Sequence, residues 1–369
     1  MFEAVASRLG RERPPEGGNG VQCRMNDLAS YRHVCADLKP WSGEVPEGFL
    51  VDFLGALTDV NFRLDFGASP EMARRRYAET ILPDIGEGHN AEYWFEVVNW
   101  IAAAREARDK FVMITLGACY GGPAVGAYKV VQQLNPMPCR MVMVEPEPSN
   151  CEWIMRHLRD NGIDPDHHWI VPMAISDSTD PVFFPVGAPG TGAQNCVSSN
   201  ELSARRIYAD QLIAAGGAEE ALRNLLLTNS TGITKDLVPG RDFATEIKLV
   251  SAITLRELLG PFDFVDYLDS DIQQSEILAF PPFIDLLRKK VRRIHIGTHG
   301  LDTHNSLHEL FKDCGWDIIF SYAPNAVHKS ALGTFELNDG ILTVRNPDHY
   351  GIARLPLSPG GCFRLHGWS

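Results

Sequence analysis

Several things the sequence lacks narrow its class before any motif is read. None of the eight cysteines (Cys23, Cys35, Cys119, Cys139, Cys151, Cys196, Cys314, Cys362) stands in a C-x-x-C pair. Thiols scattered through a chain of 369 residues read as reduced and mostly buried, so the expected compartment is the cytoplasm. No uninterrupted apolar run approaches the roughly 18 residues that a membrane span requires. The opening MFEAVASRLGRERPPEGG has no continuous apolar core of the kind a signal peptide needs. Positive charge is scarce: 34 Lys and Arg face 47 Asp and Glu, for a net charge of −13, which argues against a duplex nucleic-acid binder. Internal repeats and low-complexity tracts are absent. What is present is ordinary globular composition, 44% hydrophobic and 22% charged. At about 150 residues per domain the length suits one enlarged domain or two.

Residues 11–20 (RERPPEGGNG) read as a mobile linker after a short amphipathic leader. From about Asn26 to Lys110 the pattern is mainly helical. In Ala91–Ala107, Trp94, Val97, Val98 and Ile101 share one stripe, the buried face of a helix. The texture then changes to short apolar runs separated by helical stretches: FVMITLG (111–117), MVMVEP (141–146), WIVPMAIS (169–176), FDFVDYLDSD (262–271), RIHIGTHG (293–300) and WDIIFSYA (316–323). Apolar runs without internal alternation predict parallel strands covered on both faces. Between them, a helix from about Ser149 to Asn161 has Ser149 as its expected N-cap and Gly162 as its stop. Another is expected near 275–290 and a third near 303–314. GTFELNDGILTVRNP (333–347) reads as a hairpin around Asn338-Asp339-Gly340. The division is therefore a leader and helical region (1–109), an α/β domain (110–347) with a helical insertion at about 188–245, and a tail (348–369). GAPGTGAQNCVSSN (187–200) has the composition of an active-site lid, mobile alone and ordered by ligands.

Three elements carry chemistry. In ITLGACYGG (114–122), Gly117, Gly121 and Gly122 separate a buried strand from a helix, which lets a ligand approach the backbone and leaves helix N–H groups free. The spacing is not the dinucleotide fingerprint G-x-G-x-x-G, whose second glycine is Cys119 here. Glu145 ends the next strand, where a carboxylate can accept both hydroxyls of a ribose bound across the turn. Asp271, in LDSDIQQSE (268–276), reaches the same carboxyl edge one strand further on. Asp263 and Asp266 are expected to be solvated or to cap the following helix.

In order, LGACYGG, VEPEP, AISD (174–177), LDSDIQQSE and IGTHG resemble the FkbM family of S-adenosylmethionine-dependent methyltransferases. The resemblance covers roughly residues 90–347 and includes NDGILTVRNP. It implies a class I methyltransferase fold: a doubly wound, Rossmann-like, mostly parallel seven-stranded sheet with an antiparallel last strand. It further implies S-adenosylmethionine as cofactor. Gly117, Ala118, Cys119 and Gly121 would line its methionine part, and Glu145-Pro146 its ribose. Ala174, Ile175, Ser176 and Asp177 would lie against the adenine, and Asp271 near the transferred methyl. Glu276 answers the last carboxylate of the family's D-x-Q-G-A-E pattern. Two positions depart from that pattern: Thr115 replaces an acidic residue expected to help hold the cofactor's amino group, and Gln274 replaces a glycine.

Methyl transfer from a sulfonium needs alignment and exclusion of water more than reactive side chains. A hydroxyl acceptor also needs a base. His299, ending its strand beside Asp271, is the candidate, with Asp271 orienting it or sharing the role. The expected reaction is O-methylation of a small metabolite, sugar or natural product. No catalytic metal is expected; Asp269, Asp271 and His299 would be its ligands. His295 is expected on the opposite side of its strand, and His304 and His308 on a helix surface. The basic clusters Arg74-Arg75-Arg76 and Arg288-Lys289-Lys290 with Arg292-Arg293 lack interleaved aromatics, so solvated faces are expected rather than nucleic-acid contacts. Neither a nucleic acid nor a membrane is an expected partner, and self-association into a homo-oligomer is left open. The rival readings are an NAD-dependent oxidoreductase and a non-catalytic cofactor-binding protein on a degenerate methyltransferase scaffold.

Overall fold

A computed structural model describes residues 37–65, 91–186, 198–214, 246–330 and 333–349 of the chain. The leader and linker, Arg74-Arg75-Arg76, residues 187–197 of the lid segment, the insertion over 215–245 and the tail from 350 lie outside them.

A run such as FVMITL has no polar side to show to water, and it forms a strand buried on both faces. This is β1 (Phe111–Leu116), with every residue buried. The other central strands are β2 (Cys139–Val144), β3 (Trp169–Val171), β4 (Val265–Ser270), β5 (Val291–Thr298), β6 (Asp317–Tyr322) and β7 (Gly340–Arg345). They form one sheet in the order β3-β2-β1-β4-β5-β7-β6. β7 runs antiparallel to both β5 and β6, while β1 to β5 are mutually parallel where they pair. A mostly parallel seven-stranded class I methyltransferase sheet with an antiparallel last strand is expected from the sequence, and this strand order is that of such a fold. The chain winds outward from β1 to β3, then returns to lay β4 on the other side of β1. That reversal makes a switch point at the carboxyl ends of β1 and β4, the edge where open α/β sheets bind ligands.

Helices cover both faces. On one lie α1 (Ala91–Glu106), α2 (Gly122–Leu134) and α3 (Pro148–Asp160), packed through Trp94, Trp100, Val125 and Ile154 onto Met113, Met143 and Tyr267. On the other lie α4 (Ile284–Lys290) and α5 (Leu301–Asp313), packed through Leu287, Leu307 and Phe311 with Val112, Ile114 and Leu268. α1 crosses α2 closely because Gly126 has no side chain: a Cβ there would lie 2.4 Å from the Trp100 ring. Among the described residues no helix is long and apolar enough to cross a membrane.

Several boundaries differ from the sequence reading. Residues 49–59, read as helical, form an antiparallel pair, Phe49–Val51 with Leu57–Asp59. α3 starts at Pro148, with Glu147 as N-cap: its carboxylate accepts from Ser149 N at 3.2 Å and from Ser149 Oγ at 2.6 Å. Its end is as expected, with Gly162 at φ 70 and Ile163 N donating to Leu158 O. WIVPMAIS is split: Trp169–Val171 joins the sheet, whereas Ala174–Ile175 pairs in parallel with Ala252–Ile253. Pro172 has no N–H to continue a ladder. The helix expected near 275–290 is interrupted by a 3-10 turn at Pro281–Phe283, because Pro281 and Pro282 cannot donate intrahelical bonds. Gly333–Leu337 and β7 do not form a hairpin. The first pairs with Ala326–Ser330, and the second enters the central sheet between β5 and β6.

Candidate active site

The turn after β1 is built by backbone contacts that only its own sequence permits. Gly117 sits at φ +74, and a Cβ on it would fall 2.0 Å from the carbonyl oxygen of Asp271. The end of β1 and the end of β4 therefore touch, and Asp271 N donates to Leu116 O at 3.0 Å. Cys119 also takes a left-handed conformation, φ 49. Glu145 locks this turn. Its Oε2 accepts from Cys119 N at 2.7 Å, and its Oε1 accepts from Glu147 N at 2.9 Å, across Pro146. A buried carboxylate is thus fixed against the glycine turn at the carboxyl edge, as the sequence reading placed it.

On the β4 side the structure joins residues from three distant segments. Gln273 Nε2 donates to Asp271 Oδ1 at 2.9 Å and lies 2.8 Å from His299 Nε2. With the amide donating to both, His299 Nε2 is an acceptor and the ring proton lies on Nδ1. That same Nε2 is 3.3 Å from Asp271 Oδ1 and 3.6 Å from Asp339 Oδ2. The imidazole is largely enclosed (11% exposed), while Asp271 (55%) and Asp339 (47%) are open to solvent at this edge. A proton arriving on Nε2 would be stabilised by both carboxylates. In the sequence Asp339 reads as a turn residue and not as part of the site. It is held by Glu92 on α1, whose Oε1 accepts from Asn338 N and Asp339 N at 3.1 and 2.9 Å. Gln273 (φ 54) and Gln274 (φ 75) are both left-handed, so Gln274 occupies a backbone conformation that favours glycine.

The surroundings are acidic and closed. Asp269 is buried, accepts from Tyr267 Oη at 3.0 Å and is pushed up to about 7 by burial. Glu276 is fully buried, accepts from Ile272 N at 2.9 Å and is also raised to about 7, as is Glu145. Burial is the first cause in each case. In the unfolded chain these groups ionise near 4, whereas in the fold they keep their protons until about 7. The native state then binds more protons across that interval, so their contribution to stability falls as pH rises through it. His295 (about 3), His304 (about 4) and His168 (about 4) act with the opposite sign, since burial keeps them neutral while the unfolded chain protonates below 6.5. Above that value these histidines no longer contribute a slope, whereas the raised carboxylates still do. The denaturant midpoint of the free protein should accordingly be lower at pH 8 than at pH 5.5, and Glu276→Gln should reduce the difference. A midpoint higher at pH 8 would contradict this accounting.

The remaining sequence-derived positions divide. Ala118 is buried in the turn, and its N–H donates to Val144 O. Gly121 precedes α2 as its N-cap residue. Ala174 and Ile175 are buried, Ser176 N donates to Ile253 O, and Asp177 is exposed with its Oδ1 accepting from Ser176 Oγ. This segment is held by the strand Ala252–Ile253 rather than by the glycine turn. Asp266 is not solvated: it is buried, accepts from Val112 N and pairs with Arg292. Arg292 and Arg293 are likewise interior, the latter bonded to Asn99 and Glu106. They brace α1 and β5 rather than form a solvated face. His295 points away from the crevice to Thr343 and Asn99. His304, expected on a surface, is buried against Thr298 and Ser321, and His308 bonds to the same serine. Among the described residues no group of three or more His, Cys, Asp or Glu is arranged to hold a metal ion.

The residues present fit the nucleoside cofactor that the resemblance implies. A fixed carboxylate with lone pairs to spare stands beside a glycine turn, and a second acidic patch lies one strand away across the switch point. Thr115 adds a hydroxyl that is 1% exposed and has no hydrogen-bond partner among the described residues.

No family model matches the chain, and no curated protein matches it. Solved structures resemble it at low identity. The precorrin-6y C5,15-methyltransferase of Geobacter metallireducens GS-15 is 10% identical over 67% of this chain and 86% of its own, with a TM-score of 0.33. The FkbM methyltransferase of Methylobacillus flagellatus KT is 10% identical over 71% and 56%, at 0.34. A SAM-dependent methyltransferase of Agrobacterium tumefaciens is 9% identical over 69% and 62%, at 0.34. At such scores the likenesses carry no weight. The fold rests on the strand order, and the functional reading on this chain's own residues.

Proposed function

We propose that this protein is an S-adenosylmethionine-dependent methyltransferase related to the FkbM family, acting on a hydroxyl of a small-molecule acceptor in the cytoplasm. The observation that carries the reading is the Glu145 carboxylate, locked against the turn at Cys119 N beside the crevice where strand order reverses. When bound, the cofactor supplies an electrophilic methyl group on a sulfonium, a good leaving group that asks little of the protein beyond alignment.

The chain's residues supply the rest. Glu145 would accept the ribose hydroxyls of the bound cofactor. The Gly117–Gly121 turn, free of side chains at its glycines, would let that cofactor approach the backbone at the ends of β1 and β4. His299 Nε2 takes the proton of the acceptor hydroxyl as methyl transfer proceeds. Asp271 and Asp339, within 3.6 Å, stabilise the imidazolium that results. Gln273 bridges the imidazole and Asp271 until the acceptor arrives.

Removing the Glu145 carboxylate deletes the latch on Cys119 and the ribose contact together. Glu145→Ala should weaken S-adenosylhomocysteine binding by about 1–3 kcal/mol, the cost of leaving hydrogen-bonding partners unsatisfied. Titration calorimetry on the variant measures this directly, and unchanged affinity would remove Glu145 from the ribose role.

A further inference from the structure

Thr115 stands where an acidic residue is expected, yet the crevice is not short of acid on that side. Thr115 on β1 is in register with Asp269 on β4. Side chains alternate across a sheet, so Thr115 shares a face with Met113, and Asp269 with Tyr267. Met113 and Tyr267 pack in the same core as Trp94, Val97 and Val98 of α1. Thr115 and Asp269 therefore lie on the face that α1 covers, and Glu96 shares a side of α1 with Asn99, three positions on, whose Nδ2 reaches His295 in register with Asp269.

The charges acting on Glu96 are Asp269, Asp271 and Glu92, all negative. Burial and this company hold its carboxyl well above the ordinary range. With no cation among the groups acting on Glu96, ionising it there is costly unless one enters. An independent observation points the same way. The Thr115 hydroxyl is buried, unpartnered among the described residues, and on the sheet face that its register partner Asp269 shares. Buried hydroxyls are ordinarily bonded.

We infer that Glu96 and Asp269, with the Thr115 hydroxyl, form a recognition site for the primary ammonium group of an amino-acid-bearing nucleoside. The acidic grip missing from β1 is supplied from the neighbouring helix. This rests on the methyltransferase reading but assigns the grip to a residue outside the glycine turn and the sheet. Thr115 fits beside Glu96 because a hydroxyl can accept from an ammonium N–H without adding a further charge. The arrangement also gives α1 a role in ligand binding, since Glu92 on the same helix holds the turn that carries Asp339.

The test compares two ligands that differ in this group. S-Adenosylhomocysteine carries the amino-acid end; 5′-methylthioadenosine lacks it. By titration calorimetry, Glu96→Gln should weaken S-adenosylhomocysteine about tenfold or more and leave 5′-methylthioadenosine within about twofold of wild type. Asp269→Asn, which keeps an acceptor for Tyr267, should show the same selectivity and serves if Glu96→Gln folds poorly. Variants that bind both ligands as wild type does, or that lose both equally, would overturn the assignment while leaving the functional reading in place. Wild-type protein that binds neither ligand would overturn that reading and this assignment with it.

Discussion

Gly117→Ala should destabilise the protein by more than about 3 kcal/mol and abolish ligand binding in whatever folded fraction remains. Two costs combine. A non-glycine residue at φ +74 carries about 1–2 kcal/mol of backbone strain. The added Cβ would also stand 2.0 Å from the Asp271 carbonyl, which is backbone and cannot rotate away. Relief requires separating the ends of β1 and β4, which breaks the Asp271 N to Leu116 O bond and shifts Asp271 relative to His299. Gly126→Ala offers a contrast. Its Cβ would meet only the Trp100 side chain, in a helix where alanine is favoured, so its cost is overpacking of about 1–3 kcal/mol far from the crevice. Denaturant titration of both variants, with calorimetry on the survivors, checks this. A Gly117→Ala protein within about 1 kcal/mol of wild type would show that the two strand ends are not held as described.

His299→Ala should lower turnover by about 10²-fold or more while leaving cofactor affinity nearly intact. The imidazole is placed to receive a proton between Asp271 and Asp339, and neither the glycine turn nor Glu145 depends on it. His308→Ala should stay within a few-fold of wild type, since that ring bonds to Ser321 on the far side of α5. Asp339→Asn should fall between the two, because one of the carboxylates facing the imidazolium is then neutral. A His299→Ala enzyme that remains active would mean an acceptor already nucleophilic without a base, such as an amine. The hydroxyl assignment would then fall while methyl transfer survived. Activity abolished by a chelator and restored by divalent ions would instead favour metal assistance.

The parts of the site that were legible in the sequence are those set by local pattern. A buried apolar run ending in glycine, a carboxylate at the next strand's tip and a histidine closing another strand each carry their position in a few neighbouring residues. The structure places Gly117, Glu145, Asp271 and His299 at one edge for that reason. What escaped depends on pairings between distant segments. Asn338-Asp339-Gly340 has the chemistry of a tight turn, but turn chemistry does not say which strands flank it in a sheet. Gly333–Leu337 and β7 pair elsewhere, and Asp339 reaches His299 only because β7 inserts beside β5. Glu92 and Glu96 lie four apart on a helix read for its apolar stripe, where their spacing could have marked a second, acidic face. His304 reads as a surface residue by helical period. It is buried because β6 crosses that side of α5 and offers Ser321 as a partner.

The central claim is that the crevice at the ends of β1 and β4 binds the methyl-donor nucleoside. Its most direct test is calorimetric titration of S-adenosylhomocysteine into the wild-type protein, beside the same titration with NAD. Saturable one-to-one binding of S-adenosylhomocysteine, weakened in Glu145→Ala and accompanied by no binding of NAD, is the predicted result. Binding of NAD with none of S-adenosylhomocysteine would contradict it.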